Sequence, residues 1–410
     1  MKLCIVGLGY MGLPTALLLS KAGHSVIGYD TAKNKLELLK KGELPFSEKG
    51  LKELYGAGRD NFSVSDKIEP ADAYVVAVPT PANEDKTCDL RYVISAMESL
   101  VQFVKKGVIV ILESTVQPGT TTGPVREVLE KSGLKAGRDF SLAYVSEKAI
   151  PGDTINEMIN NDRIVGGIDE ASSKLAAEIY LSFVKGNIHT TDCTTAEVVK
   201  LAENAFRDVN IAFANELARI CEQIGISVWE VIELANNHPR VSVHLPGLGV
   251  GGHCIAIDPW FLTEKYGNNG IIGTARNINE ETPNKIVGIM ESIVKSKIRV
   301  AILGAAYKKN VDDFRESPTI RIAQICAKRG HEYKITDPLV SNFPEKLFSF
   351  DEAVKDANVV LVAVDHDIFK AHEPSLSELQ RKGIYILDAR NLFKGKFPRL
   401  GVKQAEFGAK

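Results

Sequence analysis

Runs of apolar, mostly β-branched residues followed by glycine or polar residues recur along the first part of the chain. The run 3–6 leads into a glycine turn and an apolar helical segment at 14–22, and a second strand follows at 25–30. The near-continuous apolar runs at 73–78 and 108–112 are typical of parallel strands that are covered on both faces. Strands that alternate with helical segments predict a doubly wound α/β unit.

A second set of strands follows towards the C-terminal end. The run 298–304 mirrors the first strand of the chain, and the run 356–364 mirrors 70–78. Between the two sets, residues 193–266 carry a helical pattern. We therefore predict an α/β fold in which two doubly wound, Rossmann-like domains are joined by a central helical domain. The predicted domain boundaries are 1–192, 193–296 and 297–410.

Local signals predict where two of the central helices begin. Thr194, followed three residues later by Glu197, has the spacing of an N-terminal capping box and predicts the start of a long helix. Farther along, Thr282-Pro283 predicts a break before a helix at 284–295, because proline removes a backbone hydrogen bond from a helix interior.

The long central helix also carries candidate site residues. Lys200 and Asn204 lie four residues apart on one face, and Arg207 follows three residues later. A lysine usually occupies the solvated face of a helix. Here apolar residues surround much of the helix, which predicts that it is central and buried, in part within a subunit interface.

Length and composition limit the classes of protein that remain. At 410 residues the chain is too long for one core and suits two or three domains. The hydrophobic fraction of 44% and the charged fraction of 25% are ordinary for a globular protein. The net charge of −2 provides no overall basic surface for nucleic acid or for an anionic membrane. We therefore expect neither of these partners.

Cysteine usage and the N-terminal sequence favour the cytoplasm. The six cysteines are scattered and form no C-x-x-C pair, which is typical of reduced, cytosolic proteins rather than of a disulfide framework. The first residues form a strand that runs into a glycine turn and lack the features of a signal peptide. No run approaches the ~18 apolar residues that a membrane span needs. We expect a cytoplasmic protein.

The turn after the first strand predicts a dinucleotide site. Gly7, Gly9 and Gly12 have the G-x-G-x-x-G spacing between a strand and a helix, and Asp30 ends the next strand. Gly7 suits the tight turn, Gly9 lets a pyrophosphate approach the helix N-terminus, and Gly12 permits close packing of helix and strand. A carboxylate at position 30 binds the adenosine ribose and repels a 2′-phosphate, which favours NAD over NADP. The alternative is a glycine-rich turn without a ligand.

Polar loops follow the later strands of the same predicted sheet. Thr80 and Thr115 lie where two strands end, at the carboxyl edge that binds ligands in such sheets, and should line the nicotinamide cleft. A strand at 140–145 delivers Glu147 to this edge. Glu147 is either a solvated loop charge or a general base.

A glycine-rich loop with a cysteine is the strongest candidate for covalent chemistry. Four glycines at 247–252 precede Cys254, and Asp258 follows four residues after it, where a helical turn returns its carboxylate to the same face. A carboxylate beside a thiol can act as a base or position water. One alternative is that Cys254 is a small buried hydrophobic residue. Another is a metal site of His244, His253, Cys254 and Asp258, but neighbouring ligands without a second spaced pair make it unfavourable.

The second set of strands lacks the glycine motif. Its first strand is followed by the residues 304–309, which end in Lys308 and Lys309. Lysines at the end of a strand suggest phosphate binding rather than a dinucleotide fold. The alternative is a pair of exposed lysines on an empty loop.

Together these motifs resemble the UDP-sugar dehydrogenases, a family of NAD-dependent four-electron oxidases, over essentially the whole chain. The family's G-G-x-C-x-x-x-D motif is matched at 251–258, and its lysine-asparagine helix at 197–204. Its cofactor threonine is matched at 113–116, and its acid loop at 146–148, where many members have proline before the glutamate. The segment 308–317 matches the family's phosphate lysine and cofactor arginine.

The resemblance implies a covalent mechanism. A hydride leaves the primary carbon of the sugar for NAD, and the Cys254 thiolate attacks the resulting aldehyde to form a thiohemiacetal. A second hydride transfer leaves a thioester, which water hydrolyses to the uronate. Lys200 and Asn204 then stabilise the oxyanion. Glu147 and Asp258, with Thr115 nearby, activate water and remove protons.

The resemblance also implies which positions bind each ligand. It places NAD in 1–192, the cysteine loop in 193–296 and the UDP-sugar in 297–410, with no metal. The NAD residues are Gly7, Gly9, Tyr10, Met11, Gly12, Asp30, Lys35, Pro79, Thr80, Thr115 and Arg315. The residues for a UDP-N-acetylhexosamine are Glu147, Lys148, Lys200, Asn204, Arg207, Arg240, His244, Gly251, Lys308 and Arg390.

The helices between 193 and 234 have more apolar surface than two flanking sheets need. We therefore predict a homodimer, or a higher oligomer built from it, with this helix pair at the two-fold axis. The resemblance adds that Arg240 reaches the substrate bound in the partner subunit. The alternative is that Arg240 is an exposed charge at the rim.

Residues around the cysteine indicate the sugar. Glucose-oxidising members tend to have a lysine just before the aspartate, whereas this chain has Ile257. The segments 253–261, 161–167 and 238–240 look most like members that oxidise UDP-N-acetylmannosamine. UDP-N-acetylglucosamine is the second choice, and UDP-glucose is a further alternative. Two other classes remain: a two-electron 3-hydroxyacid dehydrogenase, which needs no thiol, and an NAD-binding sensor without turnover.

Overall fold

The structure, a computed structural model, describes residues 1–150, 152–252 and 254–402. Within these ranges the chain forms two compact units. The first comprises Met1–Glu203 and Trp260–Lys265, and the second comprises Asn204–Pro259 and the chain from Tyr266 onwards. The predicted three-domain boundaries stay a prediction.

The first unit is built around one mostly parallel sheet. Its strands are β1 (Lys2–Val6), β2 (Ser25–Tyr29), β3 (Phe62–Ser65), β4 (Ala73–Val76), β5 (Ile109–Leu112), β6 (Ser141–Val145), β7 (Arg163–Gly167) and β8 (Ile188–Asp192). The order is β3-β2-β1-β4-β5-β6-β7-β8, and only the pairing of β6 with β7 is antiparallel among the described strands. The order from β3 to β6 is that of a dinucleotide-binding sheet. The apolar pattern did not indicate β3 and β8 because both are partly exposed edge strands.

Helices cover both faces of this sheet. They are α1 (Gly12–Lys21), α2 (Lys33–Lys41), α3 (Leu51–Gly58), α4 (Arg91–Leu100), α5 (Arg126–Leu129), α6 (Thr154–Asn160) and α7 (Glu170–Leu181). Because successive side chains of a strand point to opposite faces, Leu3 and Ile5 belong to the core that contains α1 and α7. Cys4 and Val6 belong to the opposite core, which contains α4 and α5. Burial on both faces explains the near-continuous apolar strands.

The second unit combines long helices with a smaller parallel sheet. After α8 (Cys193–Ile224), which has residues in both units, come α9 (Val228–Ala235), α10 (Asp258–Thr263) and α11 (Ile271–Ile293). The strands are β9 (Arg299–Leu303), β10 (Glu332–Thr336), β11 (Val359–Val362) and β12 (Tyr385–Asp388), in the order β10-β9-β11-β12. The remaining helices are α12 (Pro318–Lys328), α13 (Phe350–Val354) and α14 (Glu373–Arg381). The second doubly wound unit is thereby confirmed. None of the described helices has the length and apolar character that a membrane span requires.

The predicted capping box at the start of α8 is wrong. The helix begins at Cys193, and the carboxylate of Asp192 accepts hydrogen bonds from the amide (2.9 Å) and the hydroxyl (2.6 Å) of Thr195. The Glu197 carboxylate accepts instead from the amides of Gly119 (2.6 Å) and Thr121 (2.8 Å). A distant loop therefore uses the glutamate that the local pattern assigned to the cap.

The predicted helix break at Pro283 is also wrong, since α11 continues through this residue. Proline leaves the carbonyl of Asn279 without its usual donor within the helix. A Cβ on Gly249 would lie 2.8 Å from this carbonyl oxygen, so the glycine loop packs directly against it. The glycine loop therefore packs on α11 at the turn that the proline interrupts.

Candidate active site

The three glycines of the first turn have different structural requirements. Gly7 has a φ of +99°, and a Cβ there would lie 2.5 Å from the carbonyl oxygen of Ala77. A Cβ on Gly12 would lie 2.0 Å from the carbonyl oxygen of Gly7. A Cβ on Gly9 would meet nothing within 4 Å. Packing therefore requires Gly7 and Gly12, whereas the space over Gly9 fits an approaching pyrophosphate.

Asp30 lies at the end of β2 beside this turn. Its carboxylate accepts hydrogen bonds from the amides of Leu8 (2.8 Å) and Ala32 (2.9 Å) and from the Lys35 ammonium (2.5 Å). Burial alone would raise the pKa of Asp30, but these donors outweigh it and lower the pKa. The charged carboxylate fits a ribose with free hydroxyl groups and disfavours a 2′-phosphate.

Other predicted cofactor residues lie around the same turn. Tyr10, which precedes Met11 and α1, donates its hydroxyl to Glu48 at 2.8 Å and stacks on Phe46 with ring centroids 4.7 Å apart. Glu48 also accepts from the amides of Gly152 and Thr154, at 3.1 and 3.2 Å. Sequence reasoning missed Glu48, because its partners are distant in the chain.

The loops after β4 and β5 are joined to each other. The hydroxyl of Ser114 accepts from the amide of Val78 (3.0 Å) and donates to its carbonyl (2.8 Å). Thr80 is buried and Pro79 is exposed, while Thr115 is partly buried. The two hydrogen bonds between Ser114 and Val78 hold the predicted cofactor loops together at the carboxyl edge of the sheet.

Glu147 is buried, so the alternative of a solvated loop charge is wrong. One carboxylate oxygen accepts from the amides of Lys148 and Ala149, both at 2.7 Å. The other oxygen lies 3.0 Å from Nη1 of Arg163. Lys148 itself pairs with Glu203 at 2.5 Å. The role of Glu147 as a base stays a prediction.

Arg163 lies between two carboxylates. Its Nη1 is 3.6 Å from Glu113, which also accepts hydroxyl hydrogen bonds from Tyr180 (2.9 Å) and Thr15 (3.1 Å). Burial, together with the negative charge of Glu147, raises the pKa of Glu113 to about 7. Sequence reasoning did not single out Glu113 and Arg163. The sequence did offer a signal for both residues. Glu113 directly follows the apolar strand β5, and Arg163 is the first residue of β7.

The cysteine loop lies in the second unit. Cys254 is exposed, so the alternative of a buried hydrophobic residue is wrong. The amide of Asp258 donates to the carbonyl of Cys254 at 2.8 Å, which closes a helical turn. Asp258 is 3% exposed and accepts from the side-chain amide of Asn204 at 2.7 Å. Lys200, one turn before Asn204 in α8, is also buried, which excludes the solvated face for it.

The glycines of this loop allow the backbone to pack closely. A Cβ on Gly251 would lie 2.8 Å from Tyr307 Cβ and Pro318 Cδ. Gly252 has a φ of +81°, and its amide donates to the carbonyl of Arg315 at 3.0 Å. The loop therefore lies against the segment that follows β9.

Charged and aromatic side chains surround this packing. Arg315 binds Asp313 through Nε (2.9 Å) and Nη2 (2.6 Å), which raises the pKa of Arg315, and the charge of Cys254 raises it further. Burial raises the pKa of Tyr307, and Asp313 and Cys254 add to the effect. Tyr307 and Arg315 therefore both lie within electrostatic range of Cys254.

The other predicted substrate residues are distributed around the second unit. Burial lowers the pKa of His244, and the positive charge of Arg207 adds to this effect. A Cβ on Gly247 would lie 2.4 Å from Nη1 of Arg390.

Two of the predicted substrate residues are exposed. Arg240 contacts His238, and Lys308 lies on the loop after β9. His253, from the metal alternative, lies outside the described residues, among which no metal-binding cluster occurs.

Three sequence models of one family match consecutive parts of the chain. In the UDP-glucose/GDP-mannose dehydrogenase family, the NAD binding domain matches residues 1–184, the central domain 194–281 and the UDP binding domain 301–395. The UDP-N-acetyl-D-mannosamine dehydrogenase of Methanocaldococcus jannaschii is 43% identical over 402 residues, covering 95% of this chain and 92% of that protein.

Solved structures agree with these matches. The UDP-D-ManNAc dehydrogenase of Pyrococcus horikoshii has a TM-score of 0.89 and 36% identity, covering 98% of this chain and 99% of that one. The UDP-N-acetyl-mannosamine dehydrogenase of Staphylococcus aureus has a TM-score of 0.88 and 39% identity, with coverage of 98% and 99%. The fold and the glycine turn define an NAD-dependent dehydrogenase. The chain belongs to the UDP-glucose/GDP-mannose dehydrogenase family, which confirms the predicted family, fold class and cofactor.

Gly9 should be required for NAD binding but not for folding. In Gly9→Ala the added Cβ meets no atom within 4 Å, so the melting temperature should stay within about 2 °C of the wild-type value. NAD affinity should decrease at least about tenfold, because the methyl group occupies space that the pyrophosphate needs. Calorimetric titration with NAD and thermal denaturation measure the two effects. Unchanged NAD affinity would contradict the assignment, and Gly12→Ala, which should lose stability, provides the comparison.

Glu113 should make the stability of the first unit depend on pH. A glutamate has an ordinary pKa of 4.5, and the pKa of Glu113 in the folded protein is raised to about 7. As the pH rises, Glu113 loses its proton at a lower pH in the unfolded chain than in the folded protein. The free energy of unfolding therefore decreases as the pH rises from about 4.5 to about 7. We expect Glu113→Gln to flatten the melting temperature over this interval. The exposed Glu84→Gln should retain the wild-type profile, and an unchanged slope in Glu113→Gln would refute this account.

Proposed function

We propose that the chain oxidises UDP-N-acetyl-D-mannosamine to UDP-N-acetyl-D-mannosaminuronate in two NAD-dependent steps on one thiol. The observation that carries the proposal is the position of Cys254 one helical turn before Asp258, whose amide donates to the Cys254 carbonyl at 2.8 Å. Cys254 is exposed, while Asp258, one helical turn later, is buried and bound by Asn204 at 2.7 Å. An accessible thiol beside a fixed carboxylate suits covalent catalysis followed by hydrolysis.

The thiol explains how one site completes both steps. NAD, held at Gly9 and Asp30, supplies the hydride acceptor. Cys254 Sγ attacks the aldehyde, and the resulting thiohemiacetal keeps the carbon bound with one hydride still on it. Its oxidation leaves a thioester on Cys254, and water releases the carboxylate.

The remaining residues stabilise charge and move protons in this proposal. Lys200 and Asn204 suit stabilisation of the oxyanion, which is worth roughly 3–4 kcal/mol per donor where it has been measured. Asp258 and Thr115 suit proton removal and water activation. Glu147, whose carboxylate forms an ion pair with Arg163, is the second candidate for this task.

The identity of the sugar rests on the relatives. Several relatives that cover 95% or more of this chain carry the name UDP-N-acetyl-D-mannosamine dehydrogenase. A UDP-glucose dehydrogenase from Pyrobaculum islandicum is 26% identical, which makes UDP-glucose a suitable comparison substrate. We assign the uridine diphosphate to the second unit, with Lys308 at its pyrophosphate, because the UDP binding domain model matches 301–395.

Two NADH should form for each sugar consumed. Purified protein is incubated with NAD and either UDP-N-acetylmannosamine, UDP-N-acetylglucosamine or UDP-glucose, and NADH is compared with the remaining sugar. Cys254→Ser should lower the rate at least about 100-fold, because an alkoxide is harder to generate than a thiolate. The buried Cys221→Ala is the matched control. A ratio of one with free aldehyde would refute the covalent mechanism, and full activity of Cys254→Ala would favour a two-electron dehydrogenase.

We also propose that the protein works in the cytoplasm as a homodimer. In the second unit, α8 exposes Phe206, Phe213 and Ile220, which are seven residues apart. Side chains at this spacing form a stripe along one side of a helix, and a second copy of the helix would cover it. Arg240, also exposed, would reach the substrate of the partner subunit.

Mixing two inactive variants should restore activity if Arg240 acts across the dimer. A heterodimer of Cys254→Ala and Arg240→Ala has one site with both defects and one intact site. After equal mixing and subunit exchange, about a quarter of the wild-type activity should return, since half of the dimers are mixed. Exchange is followed with two affinity tags. No recovery despite exchange would place Arg240 outside the partner's site.

A further inference from the structure

Asp337 occupies the position in the second sheet that is equivalent to the position of Asp30 in the first sheet. Tyr29 of β2 pairs with Val6 of β1, and Thr336 of β10 pairs with Leu303 of β9. The aspartate follows directly after β2 or β10 in each case. The side chain of Asp30 is 11% exposed, whereas that of Asp337 is fully buried.

The carboxylate of Asp337 is fully engaged. Oδ2 accepts from the amides of Ala305 (2.7 Å) and Ala306 (3.1 Å), and it lies 3.1 Å from Nε2 of His366. Oδ1 accepts from the amide of Leu339 at 2.9 Å. Asp337 therefore holds the loop after β9, whereas Asp30, at the same position of the first sheet, is the residue predicted to bind the ribose.

His366 connects this carboxylate to the far end of the same loop. The amide of Asn310 donates to Nδ1 of His366 at 2.8 Å. Nδ1 is therefore an acceptor, so the proton lies on Nε2 and is donated to Asp337. The imidazole is fully buried, and both of its nitrogens are used.

A second set of bonds fixes the loop next to Lys308. The side-chain amide of Asn310 donates to Asp367 at 2.7 Å, and the amide of Asp367 donates back at 3.0 Å. Lys309 pairs with Asp367 at 3.0 Å, whereas Lys308 is exposed. The backbone is therefore held on both sides of Lys308, which itself extends to solvent.

We propose that His366 is a positioning residue for nucleotide binding, which fixes the 305–310 loop so that Lys308 meets the pyrophosphate of UDP. The inference rests on the proposed role of Lys308. A lysine is a flexible point charge, and a loop that ordered only on binding would lose affinity to the entropy of ordering. The bonds to Asp337 and Asn310 order the loop in advance.

Two substitutions separate the two bonds of His366. In His366→Asn, the side-chain oxygen lies near the position of Nδ1 and can accept from the Asn310 amide, so only the bond to Asp337 is lost. In His366→Gln, the side-chain amide group lies near the position of Nε2 and can donate to Asp337, so only the bond to Asn310 is lost. We expect His366→Gln to weaken UDP binding about tenfold and His366→Asn to weaken it less than about threefold. Calorimetric titration with UDP measures the affinity. The KM for the UDP-sugar should rise in His366→Gln with little change in kcat, and NAD affinity should stay unchanged.

Lys308→Ala distinguishes failure of this inference from failure of the proposed site. Unchanged UDP affinity in Lys308→Ala would refute the phosphate role of this lysine. Weaker binding in Lys308→Ala with unchanged binding in His366→Gln would overturn the positioning role alone.

The wild-type protein provides a test that does not depend on the folding of a variant. We expect the Asn310 amide to be protected from hydrogen exchange before UDP is added. Rapid exchange of this amide that slows only with UDP would show that the ligand orders the loop and would overturn the proposal.

Discussion

In each unit, an aspartate at the end of the second strand holds the loop after the first strand. The amides of Gly7 and Gly304 donate to the last residue of β2 and β10, both at 2.8 Å. The next amide donates to the aspartate, from Leu8 to Asp30 at 2.8 Å and from Ala305 to Asp337 at 2.7 Å. These bonds satisfy backbone donors that would otherwise be lost where the strands end. The position of the loop after the first strand depends on this arrangement in both sheets.

The two units differ in what this shared arrangement leaves accessible. In the first, the space over Gly9 is open and Asp30 keeps an exposed edge, so backbone and carboxylate can both meet a dinucleotide. In the second, Ala306 is buried with its amide bonded to Asp337. The amides of Ala305 and Ala306 are therefore already used and cannot also donate to a phosphate. The same strand-end arrangement thus leaves the first turn open and uses up the corresponding amides of the second.

The features that follow from neighbouring residues could be predicted from the sequence. The glycine turn and Asp30 depend on local spacing within one strand-helix-strand segment, and the structure retains that segment. The use of Glu197 by the 119–121 loop could not be predicted, because these residues lie 76 to 78 positions apart. The continuation of α11 through Pro283 contradicts the local signal of the proline itself. His366 gave no signal, since its partners Asp337 and Asn310 lie 29 and 56 residues away. Contacts between residues that are far apart in the chain therefore cannot be predicted from the local sequence pattern.

The cysteine loop shows how the second unit presents an exposed thiol at its surface. At its start, the amide of Gly247 donates to Asn215 at 2.9 Å within a buried network, and at its end Asn204 holds Asp258 at 2.7 Å. Buried polar groups stabilise a fold only when each of them has a partner, so these bonds favour one loop conformation. Cys254 is exposed between two fixed ends. Hydrogen bonds between buried groups therefore hold the two ends, Gly247 and Asp258, and burial of the Cys254 side chain contributes nothing to this arrangement.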